Sequence, residues 1–239
     1  MAEVFSTDAH LRGEDGQLFS HEDRAFDDYH RRAARELTLE LTRRGFFPRE
    51  ARPAHVLLDE KVKATVALTI TATSDGPLVV PAGWEVRDHD PAMAPYHGYV
   101  AFVVDEAVTI PADGTETVSA TAMAFGDPYN VRGRTLKYPA TDLANLSGVT
   151  NILPATGGAD HALTRACVYW IMHKLNFEWS HAPDDKCAWK FKEYKRQWMH
   201  ELDLIISAGL PMDTDGDGEA SDSIEELRAM HGPLVFERS

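Results

Sequence analysis

The chain has 239 residues, of which 44% are hydrophobic and 26% charged, with a formal net charge of −14. That is an ordinary globular composition, long enough to bury a real core, and its acidity works against a broad nucleic-acid surface because phosphates would be repelled. The N-terminal "MAEVFSTDAH" lacks the basic start and apolar core of a leader, and the apolar runs are too short to cross a bilayer, so a cytoplasmic chain with no membrane partner is expected.

Residues 1–20 carry Gly13 and Gly16 among charges and read as a loose N-terminal arm. "SHED" (Ser20 to Asp23) resembles a capping box. Phe26, Tyr29, Ala33, Leu37 and Leu41 then recur at helical spacing, with Gly45 as a stop. A helix is expected near 21–44, inside a segment 21–47.

From Lys61 the period changes from 3.6 to 2. Val62, Ala64, Val66, Leu68, Ile70 and Ala72 alternate with Lys63, Thr65, Ala67, Thr69 and Thr71, the pattern of a half-buried strand. "SDG" (Ser74 to Gly76) turns the chain. "PLVVPAGWEV" gives two short strands around a Pro-Ala-Gly break. "YVAFVVDEAVTIP" and "TVSATAMAFG", separated by "ADGTE", continue the β pattern. A β domain over 48–158 follows.

After Gly158 the pattern is helical again. Leu163, Ala166, Cys167, Trp170, Ile171, Lys174 and Leu175 form one face, and Asp160 stands where it could cap the start. "APDDK" restarts a helix whose stripe is Phe191, Tyr194, Trp198, Leu202 and Ile205, ended by Gly209-Leu210-Pro211. An acidic loop and a short helix near 222–230 complete a C-terminal unit over 159–239. The basic runs His30 to Arg35 and Lys190 to Arg196 read as solvated helix faces. The fold class is α+β: an antiparallel sandwich- or barrel-like domain flanked by an N-terminal helix and a C-terminal helical hairpin. "SGVTNILPATGGAD" (Ser147 to Asp160) joins the two halves, and its glycines suggest a hinge.

The order of motifs resembles a known family. "ARPAHVLL" precedes a strand. "VVPAGWEV", then "VAFVVDEAVTIPADGTETVSATAMAFGDPYNVRGRTL", then "SGVTNILPATGGAD" follow in the order of the β domain of baseplate J-like proteins, the wedge proteins of phage tails. The resemblance covers roughly residues 48–160. In this sequence His161 replaces the acid that usually follows Asp160, and "GDPYNV" replaces a plainer Gly–Asn motif. A Trp-rich hairpin stands in place of a wedge protein's second half, which also resembles the small, ring-forming adaptors between portal and tail. The resemblance implies a virion protein assembled in the host cytoplasm, with no catalytic residue. It points first to a ring-forming head-to-tail connector (adaptor or neck protein) with itself, portal and tail or neck proteins as partners, and otherwise to a baseplate wedge component.

Two chemical patterns stand apart. "DTDGDGEASDSIEE" places Asp213, Asp215 and Asp217 at loop positions one, three and five, with Gly218 at six. Hard oxygen ligands at that spacing suit calcium, with Glu219 supplying a backbone carbonyl; the other reading is a solvated acidic loop. Ile224 holds position twelve, where a bidentate Glu is expected, and Glu225 comes one residue late. A calcium-dependent binding module is the reading from another class. The second pattern is aromatic. Trp170, Trp179, Trp189, Tyr194 and Trp198 exceed what two antiparallel helices hide between them, so they are expected at an interface. Cys167 and Cys187 form no CxxC pair and read as small buried hydrophobes. The eleven histidines include no HExxH or HxH pair, and His173, His181 and His200 read as surface or interface residues. No GxSxG elbow holds a nucleophile beside a base.

Overall fold

The alternating stretch folds as expected. β2 (Thr65–Ala72) presents Val66, Leu68, Ile70 and Ala72 to the core, while Thr65 and Ala67 are exposed and Thr69 and Thr71 half-buried. Period-two side chains can satisfy one dry face and one wet one only in this register. Val62 lies outside the strand in a single bridge to Ala159 and is itself exposed. The computed structural model describes residues 4–15, 26–44, 56–57, 61–90, 99–180, 185–208 and 212–213.

Around β2 are built β3 (Leu78–Val80), β4 (Glu85–Arg87), β5 (Ala101–Val104), β6 (Val108–Ile110), β7 (Thr115–Ala122), β8 (Tyr138–Pro139) and β9 (Leu146–Asn151). Six strands form one sheet in the order β8-β4-β5-β7-β2-β9, and β3 pairs with β6. Every pairing is antiparallel. The sheet curls into a nearly closed barrel around Leu68, Ile70, Leu78, Val86, Phe102, Ile110 and Leu136, all fully buried. β1 (Val56–Leu57) pairs by its backbone with β10 (Met212–Asp213). The Pro-Ala-Gly break is a turn in which Gly83 takes φ +80, a conformation that favours glycine.

The helical unit is larger than a hairpin. α1 (Asp8–Glu14), α2 (Asp27–Arg43), α3 (Thr164–Trp179) and α4 (Lys186–Ala208) share one core. α3 is central and packs against α2, α4 and α1. Eleven of its residues are buried, from Thr164 to Asn176, so it is apolar almost all round, the signature of a helix covered on several sides. The sequence reading gave it one face; α2 takes a second.

Residues 4–15 correct the expectation of a loose arm. Phe5 and Leu11 are buried in the helical core and Ala9 in the barrel core. Arg12 bonds Asp88 of the barrel at 2.9 Å, Thr164 Oγ1 donates to the Phe5 carbonyl at 2.6 Å, and Lys190 pairs with Asp15. The segment is the mortar between two cores. α2 begins at Asp27 after Phe26; the proposed box at Ser20 to Asp23, Gly45, Gly209 to Pro211 and the helix near 222–230 lie outside the described residues.

Candidate functional site

The two motifs "GDPYNV" and "ATGGAD" meet in space and join the barrel to the helices. Asn130 clasps Gly158 from both sides: its Nδ2 donates to the Gly158 carbonyl and its Oδ1 accepts the Gly158 N–H, each at 2.9 Å. Both glycines of the clasp are sterically required. Gly126 has φ +109, and a Cβ there would lie 2.3 Å from Asp160 Oδ1 and 2.4 Å from His10 Nε2. A Cβ on Gly158 would lie 2.6 Å from the Gly126 carbonyl. Backbone bridges Val62–Ala159 and Thr65–Thr156 flank the clasp. The expected hinge is therefore a pinned joint.

Asp160 does not cap α3, whose first residue is Thr164 and whose preceding Leu163 offers no side-chain cap. Its Oδ1 instead accepts the Asp127 N–H and His10 Nε2–H, each at 2.9 Å. The tautomer of His10 follows from its other nitrogen: Nδ1 accepts the Thr7 N–H at 3.0 Å, so the proton sits on Nε2. Burial raises the Asp160 carboxyl, but the hydrogen bonds from His10 and from the Asp127 N–H outweigh it and hold the group below its ordinary 3.8. Asn151, fully buried at the end of β9, saturates four backbone groups. It accepts from Thr135 N and Leu136 N and donates to the carbonyls of Arg132 and Leu153, at 2.8–3.0 Å. These segments carry the family resemblance, but the roles of Asn130, Asn151 and His10 are not visible in the sequence. The Asn-plus-Gly composition was the signal available.

A Ser–His–Asp line was also not foreseen. Ser6 Oγ lies 2.7 Å from His30 Nδ1, and His30 Nε2 lies 2.9 Å from Asp8 Oδ1. It borders a cavity of about 410 Å³ whose lining includes Thr7, Tyr99, Met123 and Tyr129. The order of groups is that of an activated nucleophile, but Ser6 is 1% exposed. Asp8 is shared with the Phe26 N–H. The line ties the arm to α2 as a structural staple. Tyr129 beside it is pushed up to about 12, chiefly by burial.

The five proposed interface aromatics separate into two groups. Trp170 and Tyr194 are buried in the helical core, and Trp179 and Trp198 pack against it half-buried. Trp189 is 66% exposed, and Phe177, on the adjoining end of α3, is 60% exposed. Phe177 touches Phe191 with ring centroids 5.2 Å apart, and Phe191 stacks on His173 at 4.5 Å. His173 is buried within the chain, correcting its reading as a surface or interface residue. Burial holds its imidazole below the ordinary value, Lys174 and Lys195 push the same way, and only its hydrogen bond to the Phe191 carbonyl opposes them. His200 is exposed, and His181 lies outside the described residues. Cys167 is buried, and burial pushes its thiol up, whereas Cys187 is only half-buried. The arginines and lysines of the two basic runs are exposed except Lys190.

Of the proposed calcium ligands, Asp215, Asp217 and Glu219 lie outside the described residues, as does Glu225, and Asp213 is placed by its backbone alone, opposite Val56. Among the described residues no three His, Cys, Asp or Glu side chains cluster as metal ligands, and no helix is long and apolar enough to cross a membrane.

The fold and joint define an α+β protein built on an antiparallel barrel. Residues 65–158, from the first residue of β2 to the clasped Gly158, match the family model of the baseplate J-like protein barrel domain. Among solved structures, similarity is found to a chain in the cryo-EM structure of the anti-feeding prophage (AFP) baseplate, 6-fold symmetrised, at 13% identity and a TM-score of 0.35. The alignment covers 64% of this chain and 48% of that one, so the present chain aligns with about half of that protein's length. No curated protein matches.

Proposed function

We propose that this protein is a structural, non-catalytic subunit of a phage tail or tail-like particle, placed at its baseplate. The observation that carries the proposal is a baseplate J-like barrel joined through a pinned clasp to a helical unit that presents exposed aromatics. Such a body suits load transfer between neighbours: both cores are apolar, and the joint is fixed by backbone and side-chain hydrogen bonds. The buried Ser6 and the partnered histidines support a mechanical role over a chemical one.

The head-to-tail connector is the second reading, favoured by the size of the helical unit, since helices suit packing against a portal. The family match ranks baseplate above neck, the reverse of the order expected from sequence. A calcium-dependent module draws no support from the described residues. Immunogold labelling of an epitope-tagged chain in purified particles decides among them. Label at the distal tail end is expected; label at the head–tail junction would select the connector; absence from particles would defeat both.

A further inference from the structure

On α4, Lys186, Trp189, Lys192 and Lys195 recur every third residue and are all exposed. Side chains three apart form one ridge on a helix surface, and ridges are what pack into grooves of a neighbour. From Lys186 to Arg196 the helix carries five cations (Lys186, Lys190, Lys192, Lys195 and Arg196) against one anion, Glu193, in a chain of net charge −14. Glu193 is taken by Arg196 and Lys190 by Asp15. Lys186, Lys192 and Lys195 form no ion pair among the described residues. Trp189 rises among them at 66% exposure, and large rings of this kind anchor interfaces.

Three exposed acids stand at the far tip of the barrel. β2 leaves the clasp at Thr65 and runs to the far tip of the barrel, where the turns after β2 and β6 meet: Asp113 N–H donates to the Thr73 carbonyl at 3.0 Å and Ala72 N–H to that of Gly114 at 2.9 Å. Asp75, Asp113 and Glu116 are exposed on this tip, with no ion pair among the described residues.

We infer that the α4 ridge of one copy docks on the acidic barrel tip of a second copy of this chain, with Trp189 as the apolar anchor and Lys192 and Lys195 facing Asp75 and Glu116. The inference rests on the structural-subunit reading and supplies its self-contact. Charge complementarity of this kind fixes register and partner choice. The two patches lie on different units of a jointed body, so the contact joins different surfaces of the two copies, the kind of contact that repeats around an assembly.

Light scattering of the full chain tests this. The mean mass should exceed the 26.6 kDa monomer at least twofold at about 0.01 M salt and fall toward the monomer at about 1 M, where screening shrinks the Debye length from about 30 Å to about 3 Å. Lys192→Glu with Lys195→Glu should be monomeric, as should Asp75→Lys with Glu116→Lys, each with an unchanged circular dichroism spectrum. Mixing the two variants, or placing all four changes in one chain, should restore association, because the charges are again complementary. Association of either reversed variant at the wild-type level overturns the contact, as does failure of the mixture to recover while both variants stay folded. A wild-type chain that stays monomeric at low salt also overturns it, yet leaves the subunit reading standing if the chain is found in particles.

Discussion

The barrel and the helical unit keep their shape by different means. In the barrel, polar groups do much of the specifying: Asn151 closes four backbone bonds and Asn130 two, in the loops between the strands. In the helical unit, burial does the specifying: α3 is surrounded on nearly all sides, and the exposed remainder of the unit carries rings and charges. The difference teaches where change is tolerated. A barrel held by exact hydrogen-bond complements resists polar substitution, whereas the outer helix face is free to be shaped by a partner.

The largest test of that contrast is Asn151→Leu. It strands several buried backbone groups at about 1–3 kcal/mol each, so the denaturation midpoint should drop by more than for any helix-surface change. Inside the apolar cores the two units should behave alike: Leu68→Ala should cost about 2–5 kcal/mol and Trp170→Ala about 3–5 kcal/mol, while Thr69→Ala should cost under about 1 kcal/mol. Equal losses at Leu68 and Thr69 would break the two-faced account of β2.

A smaller but more diagnostic loss is expected at the joint. Gly126→Ala imposes a strained φ worth about 1–3 kcal/mol, besides driving a methyl into Asp160 and His10, and thermal melts should report it. Asp160→Asn sharpens the point through pH. The carboxyl lies below its ordinary 3.8 in the folded chain, so its contribution is fully present above that value and is lost as pH falls through the folded one. Wild type should therefore lose stability more steeply than Asp160→Asn below about pH 4; identical slopes would remove Asp160 from the joint's energetics. The smallest effect is reserved for Trp189→Ala, within about 0.5 kcal/mol of wild type in stability. A large loss there would mean that the ring supports the fold and is not held for a partner.

Much of this was legible. The alternation of β2, the order of the β motifs and the stripes of α2 and α4 follow from side-chain period, which is local. What was not legible is long-range. The stretch Val4 to Asp15 has little periodicity, because its buried residues answer to two cores at once; Phe5 turns to one and Ala9 to the other. Asp160 looked like a cap because it precedes a helix, but a histidine 150 residues earlier claims it. The aromatic excess was real in the sequence; that α2 would hide part of it depended on how three helices pack.

That 150-residue separation also orders events in time. His10 leaves the ribosome long before Asp160 exists. At about 5–20 residues per second the delay is about 8–30 s, ample for local turns and hairpins, which close in microseconds. Until then the N-terminal segment has only α2 to pack on, through Ser6, Asp8 and His30, and it reaches its full seat when the barrel and the start of α3 are present. Completion of the joint is a late folding step, and a chain interrupted before Asp160 would expose the segment's apolar residues to solvent.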